Sequence, residues 1–182
     1  MQDSEAVTHA LDLIARGVRS ASSLENQRLD FKTAKATEKE CHQDLAEAAV
    51  CFANASGGVI VVGVADSLVG AEAFVGTHLA IDRLRSRIHA LTDPPIVVTV
   101  DELERAGSRL LVVSVPEGLD VHSTRRGLAT RRWNDECLPM RPIDVSRLDD
   151  ERRGADWTSQ SGGRPTGDTD PDAIAPCPFA AT

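Results

Sequence analysis

Hydrophobic positions change their spacing several times along the chain, and each change marks an element. Val7, Leu11, Ile14 and Val18 recur at helical intervals, which predicts an amphipathic helix over residues 5–18 ending near Gly17. "RLDFK" then alternates, with Leu29 and Phe31 on one face and Asp30 and Lys32 on the other. Thr37 and Glu40 stand at capping-box spacing, and the helix they open runs to about Ala55, burying Leu45, Ala48, Ala49 and Phe52. Gly57 suits the left-handed position that ends such a helix. "VIVVGVAD" is a near-continuous apolar strand of the kind covered on both faces of a sheet. "VGAEAFVG" reads as a turn or short edge segment. "HLAIDRLRSRIHAL" gives a third helix, with Leu79, Leu84, Ile88 and Leu91 inward, stopped by Asp93-Pro94-Pro95. "IVVTVDELE" and "SRLLVVSVPEG" predict two antiparallel strands joined at Ala106-Gly107. "STRRGLATRRW" predicts another pair or a bent edge ribbon turning at Gly127.

This order fits an α+β fold: a mixed, mostly antiparallel β-sheet with helices packed on it. It divides the chain into an N-terminal helix (1–21), a domain (22–146) and a disordered tail (147–182). Gly, Pro, Ser, Thr and Asp dominate the tail from about Glu151 onward.

Composition narrows the picture. Of 182 residues 41% are apolar, but only 3% are aromatic and none is Tyr, so the core must be aliphatic. The formal net charge of −8 argues against a non-specific nucleic-acid coat, which would be basic, without excluding a local basic groove. Cys41, Cys51, Cys137 and Cys177 form no C-x-x-C pair and read as reduced thiols of a cytoplasmic protein. The N-terminus lacks the pattern of a signal peptide, and the apolar run Val59 to Ala65 is too short to span a bilayer, so no membrane partner is expected. The five histidines have no zinc-site spacing.

"ENQRLDFKTA", "AEAAVCFANASGGVIVVGVAD", "VVSVPEG" and "GLATRRWNDECLPM" together resemble, in order and spacing, the Schlafen AlbA-type domain, a family often described as DNA-binding. The resemblance covers roughly residues 22–146. Asn54, Gly57, Gly58, Gly63 and Asp66 fall in place, while Asp30 stands where the family more often has Glu. In bacteria this domain often heads a longer protein, and "ADWTSQ" looks like the start of such a continuation, which implies a truncated or standalone form. No Walker A sequence is present.

The resemblance implies two functions. One is binding of DNA or RNA, in a regulatory role, through an arginine-rich groove. Arg125, Arg126, Arg131 and Arg132 lie within eight residues beside Trp133, with Arg28, Lys32 and Lys35 lining the same groove. The other is a metal-dependent endoribonuclease. The acidic triad of Schlafen nucleases carries over as Glu25, Asp30 and Asp66, which would hold Mg²⁺ or Mn²⁺ while Lys32 offsets developing charge. The residues themselves leave plainer readings open. Asp30 and Lys32 also suit a solvated strand face, and the arginines a charged edge strand. Arg83, Arg85 and Arg87 suit a solvated helix face. Gly57-Gly58 lies at a helix C-terminus, the wrong pole for an anion, and Asn54 reads as a brace for the turn. A third reading is an interaction module, a homodimer formed through the N-terminal helix and an apolar edge.

Overall fold

The computed structural model describes residues 2–33 and 35–160. Among the described residues four helices and eight strands follow one another: α1 (Gln2–Ala15), β1 (Leu29–Lys32), α2 (Glu38–Ala53), β2 (Gly58–Val62), α3 (Ile81–Leu91), β3 (Thr92–Asp93), β4 (Thr99–Arg105), β5 (Ser108–Val115), β6 (Ser123–Thr124), β7 (Thr130–Trp133), β8 (Glu136–Pro139) and α4 (Pro142–Gln160). A 3₁₀ turn at Gly70–Ala73 occupies the stretch that read as a turn.

The main sheet has the order β1-β2-β5-β4; β1 runs parallel to β2 and the other neighbours are antiparallel. Every residue of β2 is buried. Its alternation serves two cores. Val59 and Val61 pack with Leu29, Phe31 and the Val7–Leu11–Ile14 stripe of α1. Ile60 and Val62 pack with Leu45, Ala49 and Phe52 of α2 and Leu84 and Ile88 of α3. A fully buried side chain of this size contributes about 1.5–3 kcal/mol. The apolar stripe of α1 is thus covered by the chain's own sheet.

Local signals explain the element ends. Thr37 and Glu40 form the reciprocal capping box at the start of α2. Gly57 has φ +68° at its far end, where a Cβ would meet Glu117 N and Val115 O at 2.7 Å. At Gly58 a Cβ would meet the Phe52 ring at 2.4 Å, so β2 can lie against α2 only without a side chain there. Ala106 (φ 50°) and Gly107 (φ 76°) make the tight β4–β5 turn, as the positive-φ hairpin type requires.

Three expectations are corrected. The ribbon at Gly127 does not pair with itself. The chain turns there, but β6 pairs with β3, and β7 pairs with β8 through a turn at Asn134 (φ 56°). The second strand of that hairpin, "ECLP", carries a Pro and little alternation, so nothing local announced it. The tail's expected start at residue 147 falls inside α4, whose Leu148 is buried; residues 161–182 of that tail lie outside the described residues. The cysteines are not all free: Cys51 of α2 and Cys137 of β8 form a disulfide across 86 residues. The hairpin packs on α2 and brings them together. Cys41 is free and buried, and Cys177 lies outside the described residues. Among the described residues no helix is long and apolar enough to cross a membrane.

Candidate functional site

The alternation of β1 puts Asp30 on the side facing α2 rather than water. Asp30 aligns with Ile60 of β2 and is 2% exposed. Two cations hold it. Lys32 Nζ lies 2.7 Å from Oδ2, and Arg132 Nη2 lies 3.3 Å from Oδ1. A buried carboxylate needs such partners, because an uncompensated charge inside a protein is strongly disfavoured. Burial works against the Lys32 ammonium, yet Asp30, with Asp44 and Glu25, holds its pKa above the usual range.

Arg132 is the centre of this node. It is 3% exposed. Its Nε donates to the carbonyls of Asn26 (3.2 Å) and Asn134 (3.1 Å), and its Nη2 donates also to Leu29 O at 3.3 Å. Its Nη1 approaches Cys137 Sγ at 3.8 Å, and the guanidinium lies 4.9 Å from the centre of the Phe52 ring. The Gln27 side chain completes the clamp: it donates to Arg132 O and accepts from the Asn134 N–H. The β7–β8 hairpin is therefore tied to β1 by side chains and to α2 by the disulfide.

Glu25 stands at the edge of the node, its Oε1 accepting from the Phe31 N–H at 3.2 Å. Burial, reinforced by the Asp30 charge, pushes its carboxyl up to about 7. Asp66 is elsewhere. It is exposed in the turn after β2, six residues beyond the position that aligns with Asp30, and its carbonyl accepts from Ser22 N–H. Among the described residues no three His, Cys, Asp or Glu side chains converge closely enough to hold a metal ion. The Glu25–Asp30–Asp66 set thus does not fit Mg²⁺ or Mn²⁺: the parallel register carries Asp66 past the node, and Asp30 is taken by Lys32 and Arg132. Lys32, expected to offset developing charge, has its ammonium engaged as Asp30's partner.

The arginine ribbon splits into three. Arg132 faces inward and is saturated, so it leaves the expected groove. Arg125 and Arg126, at the Gly127 turn, line a small cavity with Gln43, Glu47 and Leu91. Arg131 and Trp133 occupy the outward positions of β7, with Trp133 69% exposed. Arg28 donates to Ser56 O at 2.9 Å, just past the carbonyl end of α2. Lys35 lies 3.7 Å from Asp44.

Two residues were not singled out as site residues. Arg152, in the stretch read as tail, donates to Ala53 O at 2.8 Å and to Asp120 O, capping α2 where its dipole is negative. Burial pulls its pKa below the usual range; Glu117 opposes this and the nearby Arg131 charge adds to it. Asn54, read as a brace of its own turn, reaches further. Its Nδ2 donates to His122 O (2.7 Å) and Thr130 O (2.9 Å), and its Oδ1 accepts from His122 N–H (2.8 Å). It fixes β7 to the end of α2. No sequence signal marks either partner, because all three bonds span 68 or 76 residues.

The fold and node define an α+β domain in which a sheet sandwiched by helices carries a clamped surface hairpin. Residues 25–141 match the model of the family described as Schlafen, AlbA_2, and the chain belongs to that family. The DIP2311 protein from Corynebacterium diphtheriae has a similar fold, with a TM-score of 0.67 and 24% identity over 83% of this chain and 32% of that one. The chain thus spans about a third of that protein's length. The N-terminal domain of a DNA helicase RecG-related protein from Nitrosomonas europaea aligns with a TM-score of 0.41 and 23% identity, over 60% of this chain and 72% of that one. No curated protein matches the chain.

Proposed function

We propose that this chain is a nucleic-acid-binding domain that grips the strand through the outward face of β7. Arg131 supplies a phosphate contact and Trp133 a stacking surface. Arg28 and Arg152 add positive charge at the end of α2. The observation that carries this reading is the alternation of β7: Thr130 and Arg132 are buried, while Arg131 and Trp133 are exposed on a hairpin held rigid from beneath. An indole held in solvent on a clamped strand suits base stacking, which is sequence-tolerant and worth about 1–3 kcal/mol per base. Membership in the Schlafen AlbA_2 family supports a nucleic-acid role. In a chain of net charge −8, such binding rests on a local patch rather than on the overall field. The position of Asp66 away from Glu25 and Asp30, and the engagement of Asp30 by Lys32 and Arg132, favour binding over cutting.

Fluorescence anisotropy with single- and double-stranded DNA and RNA, over about 50–200 mM salt, tests this. Affinity is expected to fall linearly on a log–log salt plot. Arg131→Ala should reduce the slope by about one phosphate contact, roughly 0.7–0.9. Trp133→Ala should weaken single-strand binding by about 1–3 kcal/mol. Absence of binding at low salt, or binding unchanged in the Arg131→Ala/Trp133→Ala double variant, overturns the proposal. The ratio between DNA and RNA affinities then identifies the preferred strand.

A further inference from the structure

Between α2 and α3 the surface encloses a cavity of about 300 Å³. Three cations line it, Lys39, Arg83 and Arg87, against one carboxylate, Glu38. This is a locally positive hollow in an acidic protein. His42 also lines it, is 4% exposed, and has no hydrogen-bond partner at Nε2. Buried ring nitrogens are seldom left so, because the lost hydration goes uncompensated.

Glu38 shows what the hollow is shaped for. Its carboxylate takes Arg83 Nη1 at 3.0 and 3.3 Å, while its Oε1 stops 3.9 Å from His42 Nε2, beyond hydrogen-bond reach. One two-oxygen anion on a tethered side chain thus lies between a guanidinium and an imidazole and satisfies only the first. A free anion with more oxygens, and more charge, can satisfy both. Burial holds the His42 pKa below its usual range; Glu38 opposes this, and Arg87 and Arg83 add to it. The imidazole is therefore neutral at physiological pH, with one N–H to donate.

We propose that this hollow binds the phosphate group of a phosphomonoester, with Arg83, Arg87 and His42 taking its oxygens and Glu38 displaced. Guanidinium forks match phosphate geometry, and three cations exceed the charge of the one carboxylate they face. The body of the ligand has room beside the phosphate. An adjoining cavity of about 590 Å³ shares Glu38 and Arg83 and carries Lys35. The phosphate can belong to a free mononucleotide or to the end of a strand. The site shares no residue with the outward face of β7 and does not depend on it.

The test follows the His42 ring by NMR, its signal assigned by its loss in His42→Gln. The titrants are inorganic phosphate, adenosine 5′-monophosphate, adenosine, and one oligonucleotide with and without a 5′-phosphate. Phosphate and the monophosphate should shift the ring saturably, and adenosine should not. The Arg83→Ala/Arg87→Ala variant should weaken monophosphate binding at least about tenfold, and Glu38→Gln, which keeps the shape and removes the competing charge, should tighten it about threefold. Arg131→Ala should leave it unchanged. A response to the 5′-phosphorylated oligonucleotide alone assigns the phosphate to a strand end, and a response to the monophosphate alone assigns it to a small molecule. An unmoved His42 ring with every phosphate overturns the proposal, as does undiminished binding in the double variant or weaker binding in Glu38→Gln. If the double variant melts early, Glu38→Gln decides.

Discussion

Replacing Arg132 by Met keeps the stem's length and removes a guanidinium that bonds Asn26, Leu29, Asp30 and Asn134. The variant leaves Asp30 buried at 2% exposure with Lys32 as its one remaining partner from the pair of cations. It also strips a donor from the carbonyls of Asn26, Leu29 and Asn134; of these, Leu29 O keeps the Asn26 N–H at 3.0 Å. Breaking one side of a buried ion pair costs about 3–5 kcal/mol, because the charge left behind remains desolvated. Lys32, with its side chain 27% exposed, screens Asp30 only from one side. For a chain of this size, that loss lowers Tm by about 6–20 °C.

The assay is urea unfolding of four proteins: wild type, Arg132→Met, Asp30→Asn and the double variant. If the buried charge is the cause, Asp30→Asn rescues Arg132→Met, and the double variant is more stable than the Arg132→Met single. If the two losses simply add, or Arg132→Met costs under about 1 kcal/mol, the node does not hold the hairpin as argued.

Other measurements probe the same architecture. Glu25 holds a proton in the folded state that the unfolded chain releases between roughly pH 4.5 and 7, so stability should decline as pH rises through that window. Glu25→Gln should remove this decline and add about 1 kcal/mol at pH 8, a figure reduced for the partly exposed setting; a variant whose urea midpoint changes from pH 5 to 8 in the same way as the wild type's would contradict this. Asn54→Ala orphans the His122 N–H and two buried carbonyls, and should cost about 3 kcal/mol in chemical denaturation. Reduction of Cys51–Cys137 by a dithiol should cost about 2–5 kcal/mol, read as a lower Tm; a melt indifferent to reductant, in protein shown by mass to carry the bond, would show that it does not constrain the unfolded chain.

What was legible in the chain was what local periodicity encodes. The stripes of α1, α2 and α3, the capping box at Thr37, the buried strand β2 and the Ala106-Gly107 turn all follow from residues within one or two turns of each other. The node did not. Alternation at "LDFK" places Asp30 opposite Phe31, but whether the opposite face meets water or α2 is decided by tertiary packing. The same limit hid the Cys51–Cys137 pair, the bridges from Asn54, the helix cap from Arg152 and the bond from Arg28 to Ser56 O. The three carboxylates were not brought together because of register: β1 and β2 are neighbours, but their parallel alignment sets Ile60, not Asp66, beside Asp30. The helical character of residues 147–160 was hidden by a composition rich in polar residues; Leu148 in that helix is buried.

Arg131 and Arg132 are neighbours in the chain with opposite roles, and binding experiments can separate them. Arg131 would act on the ligand directly, so its removal should flatten the salt dependence, because one counterion fewer is released. Arg132 would act through position: it fixes the strand whose outward face carries Arg131 and Trp133. Arg132→Met should therefore weaken binding while leaving the salt slope intact, since no phosphate contact is lost, and Asp30→Asn should restore part of the affinity by relieving the buried charge. A merely electrostatic contribution from Arg132 would instead flatten the slope as Arg131→Ala does, and Asp30→Asn, which removes a negative charge near the surface hairpin, would strengthen binding in the wild-type background as much as in the variant. An equal gain in both backgrounds would show that Arg132 does not position this face.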